Sequence, residues 1–293
     1  CVYNIKDNKG GSFAMEKKRF YITTPIYYPS AKLHIGHAYC TTLTDIFARY
    51  KRLRGYECYF LTGADEHGQK IEQKAKEAGV TPQEYVDEIA AKFKNLWAAM
   101  KISNDDFIRT TEPRHVETVK KIFSTFVEHD DVYLGAYKGW YCVHEESYWT
   151  ETQVGEEHVC PECGRPVEEK SEPSYFFRCS KYVEDLLNHY DSHPLFITPE
   201  GRKAEMVNNF IKPGLNDLCV TRTTFDWGVP VKEAEGHVIY VWLDALQTTF
   251  LLLVTYKKTI QNLRNSGKIQ KAKLSMLLAL ILQDSIPFTG QCS

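Results

Sequence analysis

The stretch from Arg19 to His37, RFYITTPIYYPSAKLHIGH, constrains this chain more than any other. Phe20-Tyr21-Ile22 is rich in β-formers and predicts a buried strand. The segment Pro25 to Ser30 breaks it, because Pro25 and Pro29 both discourage helix. After His34-Ile35-Gly36-His37, the residues Leu43, Ile46, Phe47 and Tyr50 recur at helical spacing and predict a helix. Strand, loop and helix N-terminus in that order make an anion site, since unpaired N–H groups and the helix dipole face the loop. Two imidazoles with a glycine between them let backbone and side chains approach a phosphate closely.

The following chain alternates strand and helix. Tyr56 to Thr62 reads as a second buried strand ending at Gly63-Ala64-Asp65-Glu66-His67-Gly68. A helix is expected from Gln69 to Ala78, stopped by Gly79. Thr81 and Pro82 open another as N-cap and first helical residue, with Val86, Ile89, Phe93 and Leu96 as its apolar stripe. Ser103 to Asp106 is a loop, and Thr111-Glu112-Pro113 starts the next helix. This alternation argues for an α/β fold with a parallel sheet, whose ligands sit beyond the carboxyl ends of the strands. His37 and Asp65 each follow a strand, so one crevice would receive both. Asp65 is a solvated or helix-capping acid on the bland reading. On the functional one it pairs with a substrate ammonium, a charged hydrogen bond of about 1.5–3 kcal/mol.

From Val132 to about Asp217 the pattern changes to aromatic, β-rich runs followed by helix-like pieces, including a helix from Tyr182 to Tyr190. Cys160-Pro161-Glu162-Cys163-Gly164 is a knuckle, a cysteine pair around a tight turn. Zinc takes four N/S ligands in a tetrahedron, usually as two such pairs. The other pair is incomplete: Cys142 stands where expected, but its partner position holds Glu145, with His144 adjacent. Three thiolates plus Glu145 or His144 is the expected structural zinc set. The alternatives are a metal-free site or buried thiols. Nine cysteines, an odd number, suit a reducing compartment with one local metal cluster better than a disulfide framework. Cys219-Val220-Thr221-Arg222 reads as a short strand, and His237 to Leu246 as a strand by composition.

The 293 residues suffice for about two domains, and their net charge of -2 advertises no nucleic-acid partner, although a local patch is not excluded. No run approaches the roughly 18 apolar residues of a membrane span, and no secretory h-region appears, so cytoplasmic is the default. The ends read differently from the body. Residues 1–14 carry no periodicity and read as a disordered or non-native leader before Met15. From Thr248 to Ser293 the net charge is +5, leaving -7 for residues 1–247. That break suggests a frameshifted or chimeric end, with a basic RNA-binding tail as the rival. The apolar run LSMLLALILQ within it has helix-forming character.

The segments TTPIYYPSAKLHIGH, GADEHG, SYFFR (Ser174 to Arg178) and YVWLDA together resemble the class I aminoacyl-tRNA synthetases, and among them the methionyl-tRNA synthetase family. The resemblance spans about residues 15–247. It implies a Rossmann-like parallel-sheet catalytic domain over 15–131 and 218–247, interrupted by a connective insert over 132–217 that carries the zinc knuckle. It also implies methionine, ATP and tRNA(Met) as partners, with Mg2+ accompanying ATP. His34 and His37 would be catalytic, and His34, Gly36, His37 and Arg222 would bind ATP. For Arg222 the bland alternative is a structural ion pair. Asp65 would hold the amino group of methionine. Ile26, Tyr28, Trp242 and Ala245 would line its pocket, because a thioether is well recognised by aromatic surface; otherwise Trp242 is a core residue. The leucyl, isoleucyl and valyl families carry a large editing domain, for which the about 110 residues between Glu112 and Arg222 leave no room. A small nucleotidyltransferase with a shorter HxGH signature would lack the knuckle and YVWLDA. The family's KMSKS loop is not found after Gln247. A catalytically inactive zinc- or nucleotide-binding fragment is therefore the alternative from another class.

Overall fold

The computed structural model describes residues 2–5, 18–29, 33–145, 147–149 and 151–255. Residues 6–14 of the expected leader, the basic residues from Lys257 onward and the apolar run at 274–283 lie outside the described residues. The chain divides into two compact units, Cys1–Thr118 and Val119–Ser293.

In the first unit, strands β1 (Val2–Ile5), β2 (Arg19–Thr23), β3 (Glu57–Ala64) and β4 (Asp106–Arg109) form one sheet in that spatial order. β2, β3 and β4 are parallel, while β1 adds to the β2 edge antiparallel. Helix α1 (Ile35–Leu53) connects β2 to β3; α2 (Gln69–Ala78) and α3 (Pro82–Ala99) connect β3 to β4, and α4 (Pro113–Glu128) follows. This is the α/β parallel arrangement that the alternation predicts. Local chemistry sets the helix ends. Gly79 closes α2 in the left-handed region at φ +72°, and Thr81 with Glu84 forms a reciprocal capping box on α3. Gly63 lets β3 and β4 approach, since a Cβ there would lie 2.2 Å from the carbonyl oxygen of Ile108. Phe20, Ile22, Ala48 and Phe60 pack one cluster, and Tyr27, Ala64, Ala90, Phe93, Trp97 and Phe107 another.

Helix α1 is present, but the stripe that signals it is exposed. Leu43, Ile46, Phe47 and Tyr50 are 44–57% exposed, and the buried face is Thr41, Thr44, Asp45 and Ala48. The reason is a polar anchor: Asp45 accepts from the backbone N–H of Ser103 at 2.8 Å and from Arg49 at 2.7 Å. These bonds and the Arg49 charge hold its carboxyl below the usual range although burial pushes the other way.

In the second unit, β5 (Val132–Cys142), β6 (Ser147–Trp149), β7 (Glu168–Phe177) and β8 (Leu218–Cys219) form an antiparallel sheet in the order β6-β5-β7-β8. The short helix α5 (Glu151–Val154) follows β6. After β7 come a 3-10 turn (Cys179–Tyr182), α6 (Val183–Ser192), α7 (Glu200–Met206) and a π-helical turn (Val207–Ile211). The expected single strand at 219–222 is divided: Val220 lies between β8 and β9 (Thr221–Arg222), its N–H donating to Tyr175. The largest correction falls on 237–246. Only β10 (Val238–Ile239) is strand, and α8 (Val241–Thr255) takes the rest as helix. The Tyr240 carbonyl accepts from the N–H groups of Leu243 and Asp244, and Leu243, Leu246 and Gln247 then share one buried face at helical spacing. Among the described residues, no helix is long and apolar enough to cross a membrane.

Candidate functional site

The first unit carries a histidine cluster where β2 runs into α1. His34 caps the helix with extended backbone, and its Nδ1 accepts from the N–H of Gly36 at 3.1 Å. The N–H of His34 donates in turn to Nδ1 of His37 at 3.2 Å. The pair is thus a capping box built from two imidazoles, where side-chain oxygens are usual. The rings stack with centroids 3.8 Å apart. With Nδ1 of each ring accepting a backbone N–H, Nε2 is the ring nitrogen left to donate. Burial and the facing His34 hold His37 below its ordinary pKa, which keeps it neutral near pH 7. Gly36 fits the spacing, since a Cβ there would meet Cε1 of His34 at 2.9 Å.

Asp65 follows β3 and is 8% exposed, and its N–H donates to the carbonyl of Tyr27 at 3.0 Å. Tyr27 bridges to Ala64 in parallel register, which ties the chain after β2 to the end of β3. The loop ahead of His37 and the residue Asp65 thus meet on one backbone node. Ile26 and Tyr28 flank Tyr27 and are half-buried. Tyr27 between them is the buried aromatic, at 6% exposure, and two adjacent tyrosines give no sequence signal of which one is packed. Sequence reasoning passed over Glu66, wholly buried beside Asp65. Glu66 is gripped by Arg109 at 2.7 Å and Thr111 at 2.6 Å, partners more than 40 residues away.

In the second unit, Trp242 and Ala245 occupy the half-exposed face of α8, which their placement on a strand did not anticipate. Arg222 is 4% exposed and bonds Glu172 at 2.6 Å, with its guanidinium 4.5 Å from the Tyr148 ring and 4.1 Å from that of Tyr240. The ion-pair alternative thus has its partner in place. The cysteine knuckle forms as a turn: Cys160 exchanges backbone bonds with Arg165 and Gly164, and Gly164 supplies the left-handed residue at φ +68°. The sulfurs of Cys142, Cys160 and Cys163 lie within 4.8 Å of one another, with Cys142 and Cys163 at 3.6 Å. A second group joins His144, Glu145 and Cys163, in which Nδ1 of His144 is 2.6 Å from the Glu145 carboxylate. Three converging thiols with an imidazole–carboxylate pair beside them form a donor set that could hold a metal.

A parallel sheet leads here into a helix capped by the two histidines of a HIGH sequence, the architecture of a class I synthetase core. The family model for tRNA synthetases class I (M) matches residues 20–170 and 164–290, and the chain belongs to that family. Methionine–tRNA ligase of Clostridium acetobutylicum is 58% identical over 231 residues, which are 79% of this chain and 36% of that protein. The ligase of Listeria monocytogenes is 55% identical over 265 residues, covering 87% of this chain and 39% of the relative. Methionyl-tRNA synthetase of Mycobacterium tuberculosis, solved with methionyl-adenylate bound, superposes with a TM-score of 0.74 at 43% identity. That match covers 80% of this chain and 47% of the other. The chain therefore spans less than half the length of these relatives.

Proposed function

We propose that the chain carries the adenylate-forming site of a methionine–tRNA ligase. Methionine carboxylate oxygen would attack the α-phosphorus of ATP and the bond to pyrophosphate would break. A hydroxyl of the terminal ribose of tRNA(Met) would then take the acyl group, with the acyl–phosphate bond breaking and AMP leaving. The reciprocal imidazole cap is the observation that carries this reading. It holds the Nε2 atoms of two imidazoles at the N-terminus of α1, where the helix dipole favours negative charge, a preorganised cradle for charge developing on phosphate. Such a site acts by positioning and electrostatics, without a covalent intermediate. Mg2+ is proposed as the companion of ATP.

The remaining roles are proposals of the same kind. Asp65 would hold the methionine ammonium, with Ile26 and Tyr28 beside it. Trp242 and Ala245 keep the pocket-lining role on their own helix. A phosphate role for Arg222 would require its buried pair with Glu172 to open, so His34, Gly36 and His37 are the better phosphate set. A structural zinc is proposed on Cys142, Cys160 and Cys163, with Glu145 or His144 as fourth ligand.

Methionine-dependent exchange of labelled pyrophosphate into ATP tests the reading. Exchange that requires methionine supports it. ATP or zinc binding with no exchange above background would replace it with a non-catalytic binding chain. Within that assay, Gly36→Ala separates site from fold. The added methyl favours helix by roughly 0.5–1 kcal/mol but pushes the His34 ring off the cap. We expect a melting temperature at or above that of the parent, with an exchange rate lower by about tenfold or more. Equal rates would mean that the cap geometry does not matter.

A further inference from the structure

We infer that Tyr27 is a positioning residue, a buried aromatic post that sets the His37 imidazole and joins it to the Asp65 backbone. The inference rests on the adenylation reading for its functional meaning, though not for its geometry. Tyr27 is 6% exposed, and every face of it is engaged. Its ring meets the His37 ring edge-on at 5.0 Å and stacks on Phe93 at 5.6 Å, while Phe93 itself meets His37 edge-on at 5.7 Å. Its hydroxyl lies 2.6 Å from Oγ1 of Thr41, one turn along α1 from His37. Burial pushes its phenol pKa up, so this hydroxyl stays protonated and can donate. Its backbone N–H donates to Gly63 at 2.9 Å, and its carbonyl accepts from Asp65.

Side chain and backbone of one residue therefore reach both halves of the expected crevice. An edge-on aromatic contact orients a ring as well as filling space. His34 stacks on the His37 ring from its own helix, and Phe93 approaches it from α3. Of these ring neighbours His34 and Tyr27 are titratable.

The test uses side-chain NMR of His37 together with exchange kinetics on the full chain. In the parent, the His37 ring protons should show nuclear Overhauser contacts to the Tyr27 ring and an upfield ring-current shift. Tyr27→Phe keeps the ring and should preserve both. Tyr27→Leu should change that shift, leaving only the contributions of His34 and Phe93. It should also lower kcat for exchange by about ten- to a hundredfold, leaving KM for methionine within about twofold because the bond to Asp65 is made by backbone. An unchanged His37 spectrum in Tyr27→Leu would overturn the inference. If that variant does not fold, absence of the Tyr27–His37 contacts in the parent would overturn it instead. A parent with those contacts and no exchange would leave the positioning role intact and remove the adenylation reading. An active parent with an indifferent His37 would do the reverse.

Discussion

Replacing Arg109 with leucine is expected to destabilise the first unit by about 3–5 kcal/mol at pH 7, the usual cost of stripping one partner from a buried ion pair. Glu66 is wholly buried, and its two carboxylate oxygens are taken by Arg109 and Thr111. Burial already pushes its carboxyl above the ordinary range, although Arg109 and Thr111 both pull it down. Without Arg109 the value rises further. A carboxyl whose folded pKa exceeds its unfolded one is protonated first in the folded state. Stability of the variant should therefore recover as pH falls from 7 through that raised value toward about 4.3. Urea unfolding at pH 7 and pH 5 would show the deficit narrowing. Pairing Arg109→Leu with Glu66→Gln should restore much of the loss, because the uncompensated charge is gone. A deficit below about 1 kcal/mol, or one that does not shrink in acid, would mean that Glu66 is not held as an ionised partner. Asp87, the second acid on Arg109, is half exposed and loses little.

How much of this was legible depended on how local the determining chemistry is. Helix α2 runs from Gln69 to Ala78 as read, because its stop signal is a glycine adjacent in sequence. The capping box of Thr81 and Glu84 is equally local. The histidine site was readable as a motif for the same reason, since its hydrogen bonds span two or three residues. Its detail was not: that imidazoles replace the usual capping oxygens, leaving Nε2 to donate, needs coordinates. The face of α1 was misleading, because its anchor is Ser103, 58 residues away from Asp45. Glu172 and Arg222 are 50 apart, and no pattern within either strand predicts the pair. The segment at 241–246 defeated composition outright. Valine, tryptophan and leucine suit a strand, but the Tyr240 carbonyl starts a helix there, and tertiary burial of Leu243 and Leu246 outweighs intrinsic preference.

Removal of metal should have the largest effect in the second unit. Cys142, Cys160, Val154 and Val167 form a small cluster with Trp140, Trp149 and Cys163 at its margin. So few apolar side chains give little stability alone, whereas a structural zinc bound by thiolates contributes on the order of 10 kcal/mol of apparent binding energy in small domains. We expect one zinc per chain by elemental analysis. Chelation, or Cys160→Ser, should unfold the region around the knuckle while the first unit retains its own melting transition. The fourth position can be assigned by comparing two variants. Nδ1 of His144 and the Glu145 carboxylate are hydrogen-bonded, so a zinc ligated by either one would have the other positioned to orient that ligand. Loss of the orienting partner should weaken zinc binding by about 10–100-fold, and loss of the ligand by more. His144→Gln and Glu145→Gln, titrated against a zinc-competing chelator, would rank the two. If His144→Gln is the more damaging, His144 is the ligand and Glu145 the orienting residue. If neither variant changes affinity, the site is closed by the three thiolates and a ligand outside this pair.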